Sequence, residues 1–308
     1  MIDFTGILTL VNSQLPNIAI FSLMFSIGIG LSVQDFLYVI RNPKAALVGL
    51  TGQIILLPLI GALIAIVFRL DPHIAIGLMI IAACPGGATS NAFSVLVKGD
   101  LALSISLTAM SSLLAFITLP LIINITLPLI INLSLVFFDY GDGTVTLSFI
   151  DSAKQLFFTT ALPVLLGMVC RFYFPQFSRR ISKPIFYFGF ACLFYPMISV
   201  FRNFGGLIDP SNIIQSTSAI LLNVTMMCVG AGLGTLFGLS RSQSRTLSVE
   251  VGIQNFALVM VVILIFLKDL TLITPAVFYL PSMYLSAFAL SYLSRKHNDE
   301  MSGVKPES

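Results

Sequence analysis

The sequence predicts an all-α polytopic membrane protein of about nine transmembrane helices, laid out as inverted repeats of four plus five helices. Three observations carry that reading. Hydrophobic residues fill 57% of 308 positions, charged residues only 9%, and mean hydropathy is +1.00, whereas a soluble domain carries about 25% charged residues. Apolar runs of about 20 residues, long enough to cross a hydrocarbon core, recur along the whole chain. Two of these runs are interrupted by Pro, Gly and polar residues at corresponding places in the two halves, which is the pattern of a carrier built from repeats.

The candidate spans are 15–33, 45–69, 74–97, 101–135, 150–175, 182–202, 211–238, 245–267 and 271–294. Before the first, Met1, Ile2, Asp3 and Phe4 supply neither a basic n-region nor a small-residue cleavage site, so no removable signal peptide is expected. The second is apolar except for Gln53. The third contains Cys84, Pro85, Gly86, Gly87, Ala88, Thr89, Ser90 and Asn91, where Pro removes a helical hydrogen bond and the glycines let the backbone unwind. The fourth is long and holds Pro120 and Pro128, so it is expected to tilt, kink or end early. A loop from Phe138 to Gly143 then separates residues 1–140, the first repeat, from 141–294, the second; the first repeat has four spans because the leading helix of its five-helix unit is absent. The eighth span carries Glu250 and Gly252, and residues 295–308 form a tail.

Assigning alternate loops to one side collects twelve of the sixteen Lys and Arg residues there, leaving Arg69, Lys154, Arg202 and Lys268 opposite. The positive-inside rule makes the basic side cytoplasmic, with the amino terminus outside and the carboxyl terminus inside. Cys84, Cys170, Cys192 and Cys228 lie in or near apolar runs and behave as small hydrophobes, so no disulfide framework is expected. His73 and His297 have no clustered Cys or carboxylates beside them to build a transition-metal site. A net charge of +3, without a basic run interleaved with aromatics, argues against nucleic acid. An intramembrane enzyme needs a nucleophile with a base, or a metal cluster, and the spans offer neither, so catalytic residues are not expected.

Glu250 is the only acidic residue in the interior of a long apolar run, Asp151 standing at the edge of another. Burying a carboxylate in a bilayer costs about 2.5 to 3.5 kcal/mol on insertion scales, so a partner or a function must compensate. Beyond Arg245 at its edge, no Lys or Arg lies in its span, while Ser248, Gln254 and Asn255 supply oxygens, and this points to a bound cation. A hard cation takes about five or six oxygens. Ser90 and Asn91 in the third span, Gln53 in the second, and Ser104 and Thr108 in the fourth, spaced i and i+4 on one helical face, are the available donors. Structural carboxylate, back-bonded hydroxyls and a simple Pro-Gly kink are the plainer readings of these features; their coincidence at matching repeat positions weighs against them.

The runs Cys84–Asn91, Lys98–Gly99–Asp100–Leu101–Ala102–Leu103–Ser104 and Glu250–Val251–Gly252–Ile253–Gln254–Asn255 resemble the bile acid:sodium symporter family, and its bacterial homologues of the apical sodium-dependent bile acid transporter in particular. The resemblance covers nearly the whole chain. It implies a panel and a core domain with two crossing discontinuous helices, the core formed by about 45–135 and 182–267 and the panel by the remaining spans. It implies two sodium ions: one held by Ser90, Asn91, Ser104, Thr108 and Glu250, the other by Gln53, Glu250, Gln254 and the carbonyls of Val251 and Ile253. Beside these sites, Thr89 and Asn255, with backbone amides near Ala88, are expected to contact the carboxylate or another polar head of a substrate.

The expected function is sodium-coupled symport of an organic anion, such as a bile acid or a small carboxylate, by alternating access in a bacterial inner membrane. The partners are then the small anion and the lipid bilayer, with no obligatory protein partner. Some bacterial relatives carry a His and Asn pair where this chain has Met283 and Tyr284, so the substrate does not carry over. Two alternatives remain: a carrier of the same fold that takes a metalloid or other anion through Cys84, and a non-transporting sensor, for which the stretch after Leu293 is short.

Overall fold

The computed structural model describes residues 4–137, 149–203, 210–267 and 269–302, and all regular structure among them is helical. The 138–143 loop expected between the repeats, Lys268 and Lys305 lie outside the described residues.

The helices run in order α1 (Phe4–Gly30), α2 (Val33–Arg41), α3 (Pro43–Thr51), α4 (Leu57–Val67), α5 (Pro72–Ala83), α6 (Ala88–Leu96) and α7 (Leu101–Phe137). They continue as α8 (Phe149–Leu156), α9 (Leu162–Tyr173), α10 (Pro175–Asn203), α11 (Pro210–Ser216), α12 (Ser218–Leu236), α13 (Arg241–Gly252), α14 (Phe256–Val261) and α15 (Thr274–Ser302). Single π-turns at Gly52–Leu56 and Phe157–Ala161 join α3 to α4 and α8 to α9, and each precedes a proline, Pro58 or Pro163. A proline ring has no N–H and clashes with the preceding turn, and a π-turn there lets the helix continue.

Among the described residues, five helices are long and apolar enough to cross a membrane: Pro43–Val67, Leu101–Ile125, Ala153–Tyr173, Ile213–Leu236 and Leu270–Ser294. A sixth arises if Asn17–Gly30 and Val33–Arg41, bent by 61°, make one span. The runs 74–97 and 245–267 are helical but broken, which is why neither appears as one uninterrupted spanning helix. The fourth run does not end early: α7 carries Pro120 and Pro128 and extends to Phe137.

Local chemistry sets the helix starts. Asp71 Oδ1 accepts the His73 N–H at 2.9 Å ahead of Pro72, the first residue of α5. Ser240 and Gln243 form a reciprocal capping box at α13, with Gln243 N–H donating to Ser240 Oγ at 3.2 Å and Ser240 N–H to Gln243 Oε1 at 3.1 Å.

Without a hydrophobic force between helices in lipid, small residues permit close packing. Gly28 of α1 and Gly167 of α9 face each other so closely that a Cβ on either would strike the other helix's backbone, and Gly189 of α10 sits likewise against Ala19 and Leu23. Thus α1 packs against α9 and α10. A second group forms around α12 and α13, where Gly230, Gly234 and Gly252 are the points of approach. α15 packs on α12 and α5. The largest apolar core includes Leu78, Met79, Ile80 and Ile81 of α5 with Val259, Met260 and Val261 of α14.

Candidate functional site at the crossing of two broken helices

α5 ends at Ala83 and α6 restarts at Ala88; α13 ends at Gly252 and α14 restarts at Phe256. The two breaks lie against each other. Gly86 and Gln254 pair as an isolated antiparallel bridge, and Asn255 N–H donates to Pro85 O at 2.8 Å. Backbone groups freed by unwinding must find partners when water is excluded, and here part of that need is met by the other break. Gly252 O, at the end of α13, accepts from Asn223 Nδ2 and from the Tyr279 hydroxyl, each at 2.7 Å.

Glu250 is fully buried, and each hydrogen bond to its carboxylate comes from a neutral group. Ser104 Oγ lies 2.5 Å from Oε1, Thr108 Oγ1 3.0 Å from Oε2, and Gln53 Nε2 3.5 Å from Oε2. Asn91 Oδ1 sits 2.8 Å from Ser104 Oγ and 3.3 Å from Thr108 Oγ1. Each hydroxyl carries one proton. Two hydroxyl protons, from Ser104 and Thr108, and one long amide contact from Gln53 therefore serve three acceptors, the two carboxylate oxygens and Asn91 Oδ1, with about two lone pairs each. The Ser90 hydroxyl lies 3.4 Å from Thr108 Oγ1, but its proton goes to Gly87 O at 2.7 Å. The structure thus brings Ser90, Asn91, Ser104, Thr108 and Glu250 into one oxygen-rich cluster short of protons, an arrangement suited to a hard cation.

On the other side of Glu250, Gln53 Nε2 donates to Glu250 O at 2.7 Å and Gln254 Nε2 to Val251 O at 2.8 Å. Both carboxamide oxygens, Gln53 Oε1 and Gln254 Oε1, are buried without a hydrogen-bond partner. Such orphans are rare in folded proteins and mark a place for an unseen donor or ion. Ile253 lies in the break, its N–H bonded to Val249 O at 2.8 Å. Gly86 leaves the space between the two clusters open: a Cβ there would meet Glu250 Oε2 at 2.9 Å, Gln53 Nε2 at 3.0 Å and Ser90 Oγ at 3.5 Å.

Ser248, grouped with Glu250 by its place in the sequence, points elsewhere: its hydroxyl donates to Met227 O at 2.7 Å, because helical position directs it at α12. Asn255 Oδ1 caps α14 by accepting from Leu258 N–H at 3.1 Å. Asn223 and Tyr279 escaped notice in the sequence. An Asn in the apolar run 211–238 was the available signal, whereas a Tyr near the start of the last span resembles any interfacial aromatic.

Beside the crossing lie two cavities. One, of about 240 Å³, is lined by Met24, Thr89, Phe186, Asn255, Met283 and Tyr284 among others. The other, of about 440 Å³, shares Ile27, Thr89 and Phe186 with the first and adds Asn91, Thr108 and Lys183. Thr89 and Asn255 line a cavity, while Ala88 is the first residue of α6. Met283 and Tyr284 also face it, Tyr284 being held edge-on by Phe93 at a centroid distance of 5.3 Å. Cys84 is buried in the apolar core and lines neither cavity. A third groove, of about 620 Å³ along Leu31, Arg171 and Phe172, contains no residue of the crossing.

A family model described as the Sodium Bile acid symporter family matches residues 17–209. The chain is 31% identical over 240 residues to sodium/bile acid cotransporter 4 of Homo sapiens, covering 76% of this chain and 52% of that protein. It is 27% identical over 253 residues to a probable chloroplastic sodium/metabolite cotransporter of Oryza sativa subsp. japonica, covering 82% of this chain and 57% of that protein. An uncharacterized sodium-dependent transporter of Bacillus subtilis (strain 168) is 24% identical over 311 residues, 98% of this chain and 90% of that protein. The chain spans about half the length of the first two of these relatives.

Proposed function

This chain belongs to the sodium bile acid symporter family, and from that premise we propose that it is a sodium-coupled carrier of an organic anion. The observation that carries the proposal is Glu250, buried among neutral partners with too few protons for its oxygen neighbours and with two unpartnered amide oxygens beside it. One sodium ion is assigned to Ser90, Asn91, Ser104, Thr108 and Glu250. A second is assigned to Gln53, Glu250, Gln254 and the carbonyls of Val251 and Ile253, with the Gln53 and Gln254 amides turned so that their oxygens face the ion. Amide orientation is an assignment; with N and O exchanged, the amide oxygens would face Glu250 O and Val251 O, and a cation between them would hold those oxygens together.

Two sodium ions against one carboxylate leave a local charge of +1, which attracts an anion into the adjoining cavity. Thr89 and Asn255, with backbone amides at the start of α6, are assigned to its polar head. The amino-terminal end of that helix adds a partial positive charge. Two sodium ions moving with one monovalent anion transfer +2 − 1 = +1 charge, so about 100 mV of membrane potential contributes roughly 2.3 kcal/mol to accumulation.

Alternating access is assigned to motion of a panel against a core. The packing of α1 on α9 and α10, and of α15 on α12 and α5, supports drawing the panel from α1, α8, α9 and α10. This differs from the division expected above, where 182–202 stood with the core and 271–294 with the panel. The repeats at 1–140 and 141–294, a nine-span count, and a bacterial inner membrane with basic loops and the 295–308 tail in the cytoplasm complete the proposal. The burial of Cys84 away from both cavities gives the metalloid alternative no support.

Uptake of radiolabelled organic anions into proteoliposomes tests this. A sodium gradient is expected to drive accumulation, and uptake unchanged when potassium replaces sodium would overturn the reading.

A further inference from the structure

One helical turn before the Ser104–Glu250 contact, α7 and α13 are joined a second time. Asp100 N–H donates to Thr246 Oγ1 at 2.7 Å, and the Thr246 hydroxyl donates back to Asp100 O at 3.1 Å. Asp100 stands four residues before Ser104 and Thr246 four before Glu250. Both junctions therefore lie on the same faces of the two helices, about 6 Å apart along each axis. Ser104 N–H itself donates to Asp100 O at 3.0 Å, which ties the second junction directly to the ion cluster.

The turn that carries Asp100 is shaped for this contact. Lys98, just past the end of α6, has φ 56°, the left-handed conformation that usually falls to glycine at such a helix end. The glycine comes one residue later, where a Cβ on Gly99 would approach Thr246 Oγ1 to 2.5 Å. Close approach to the fully buried Thr246, rather than the backbone twist, is what requires the glycine.

α2 reaches this junction from the side of α1. The Tyr38 hydroxyl donates to Asp100 Oδ2 at 2.6 Å, while Asp100 Oδ1 caps α7 by accepting Leu103 N–H at 3.1 Å. Tyr38 also packs against a small apolar cluster of Ala45, Val48, Leu103, Leu107 and Leu247, the last three from the helices that carry Ser104, Thr108 and Glu250. α2 follows α1 after a bend of 61° and packs on α7, whereas α1 packs on α9 and α10. Tyr38 thus stands between the α1 group and the frame of the ion cluster.

Resting on the ion assignment above, we infer that Tyr38 and Thr246 are positioning residues for sodium, acting through Asp100. An ion shared by Ser104 and Thr108 of one helix and Glu250 of another needs those helices in fixed register, since ligand distances hold within about 0.2 Å. Thr246 sets the register of α13 on Asp100, and Tyr38 keeps Asp100 in place. The linkage is reciprocal: a bound ion that fixes α7 against α13 also favours docked Tyr38, so α2 senses occupancy of the ion site.

Thermal stabilisation of the purified full chain, titrated with sodium against a potassium background, tests this. Tyr38→Phe keeps the packed ring and Thr246→Val keeps side-chain shape, each losing one hydroxyl. Each should raise the sodium midpoint by about fivefold. Thr246→Ser, which keeps the hydroxyl, should stay within about twofold of the parent. A purely structural tie would lower the melting temperature in potassium and leave the sodium midpoint alone. Hydrogen exchange of the parent needs no variant: sodium should slow exchange in α2 at least about threefold more than in α9.

Unchanged sodium midpoints in Tyr38→Phe and Thr246→Val, with the parent still stabilised by sodium, overturn the positioning role and leave the carrier reading intact. An unchanged midpoint in one of them removes that residue from the role. Equal slowing of α2 and α9 in a parent that binds sodium also overturns it, and this decides the question if a variant does not fold. A parent stabilised no more by sodium than by potassium overturns the ion assignment and this inference with it.

Discussion

Ser104 and Glu250 meet across 146 residues of sequence, the serine hydroxyl donating to Oε1 at 2.5 Å while also lying 2.8 Å from Asn91 Oδ1. One proton between two acceptors leaves the pair electrostatically incomplete, and a cation beside them removes the deficit. Ser104→Ala deletes an oxygen ligand without adding bulk. It should raise the sodium concentration needed for half-maximal thermal stabilisation by about tenfold, roughly 1.4 kcal/mol. Lithium and sodium titrations of the variant beside the parent check this; an unchanged sodium midpoint would remove Ser104 from the ion site.

The orphaned oxygens of Gln53 and Gln254 predict a second, separable ion. Gln254→Leu keeps side-chain volume and loses the amide. Sodium dependence of uptake should then pass from a Hill coefficient of about two to about one, as cooperativity between two sites disappears. A coefficient that stays near two in Gln254→Leu would remove Gln254 from a second ion site.

Gly86 sits where a Cβ would come 2.9 Å from Glu250 Oε2 and 3.0 Å from Gln53 Nε2. Gly86→Ala should therefore disturb ion binding more than folding, because the atoms met are side-chain ends. Gly230→Ala is the contrasting case: a methyl there strikes the Leu247 backbone, and small residues at such points let helices approach. The first variant should express normally with sodium stabilisation reduced at least about fivefold. The second should lose folded protein in size-exclusion chromatography.

Much of this was legible in the sequence because bilayer chemistry leaves few options. Glu250, Gln53 and the Pro85–Gly86–Gly87 break are conspicuous in apolar runs, since each costs free energy in lipid unless something compensates. The cluster Ser90–Asn91–Ser104–Thr108 was also readable, from helical spacing and from resemblance. Two things were not. Helix partners do not follow from hydropathy: 182–202 looks like any other apolar run, and its packing against α1 depends on Gly189 lying against Ala19 and Leu23. Side-chain direction within a polar run was also hidden. Ser248, two residues from Glu250, serves Met227 O instead, because neighbouring positions on a helix face different ways.

Tyr279 and Asn223 give the last prediction. Both donate to Gly252 O at 2.7 Å, and Ser286 donates to Asn223 Oδ1 at 2.8 Å, so the carbonyl that ends α13 is held from behind the ion cluster. Tyr279→Phe removes one of two donors and leaves the buried ring in place, so it should cost about 0.5 to 1.5 kcal/mol of stability. Asn223→Leu removes the other donor and leaves the Ser286 hydroxyl only its longer bond to Met283 O, at 3.2 Å; it should cost about 1 to 3 kcal/mol. Together they leave Gly252 O without a side-chain donor in a water-poor interior, and the double variant should lose more than the sum of the single losses. Because Gly252 lies two residues beyond Glu250, that excess should appear in ion binding as well as in melting temperature. Sodium midpoints should be within about twofold of the parent in either single variant and clearly weaker in the double. Additive melting losses with an unchanged sodium midpoint would show that the two donors support the fold without positioning the ion cluster.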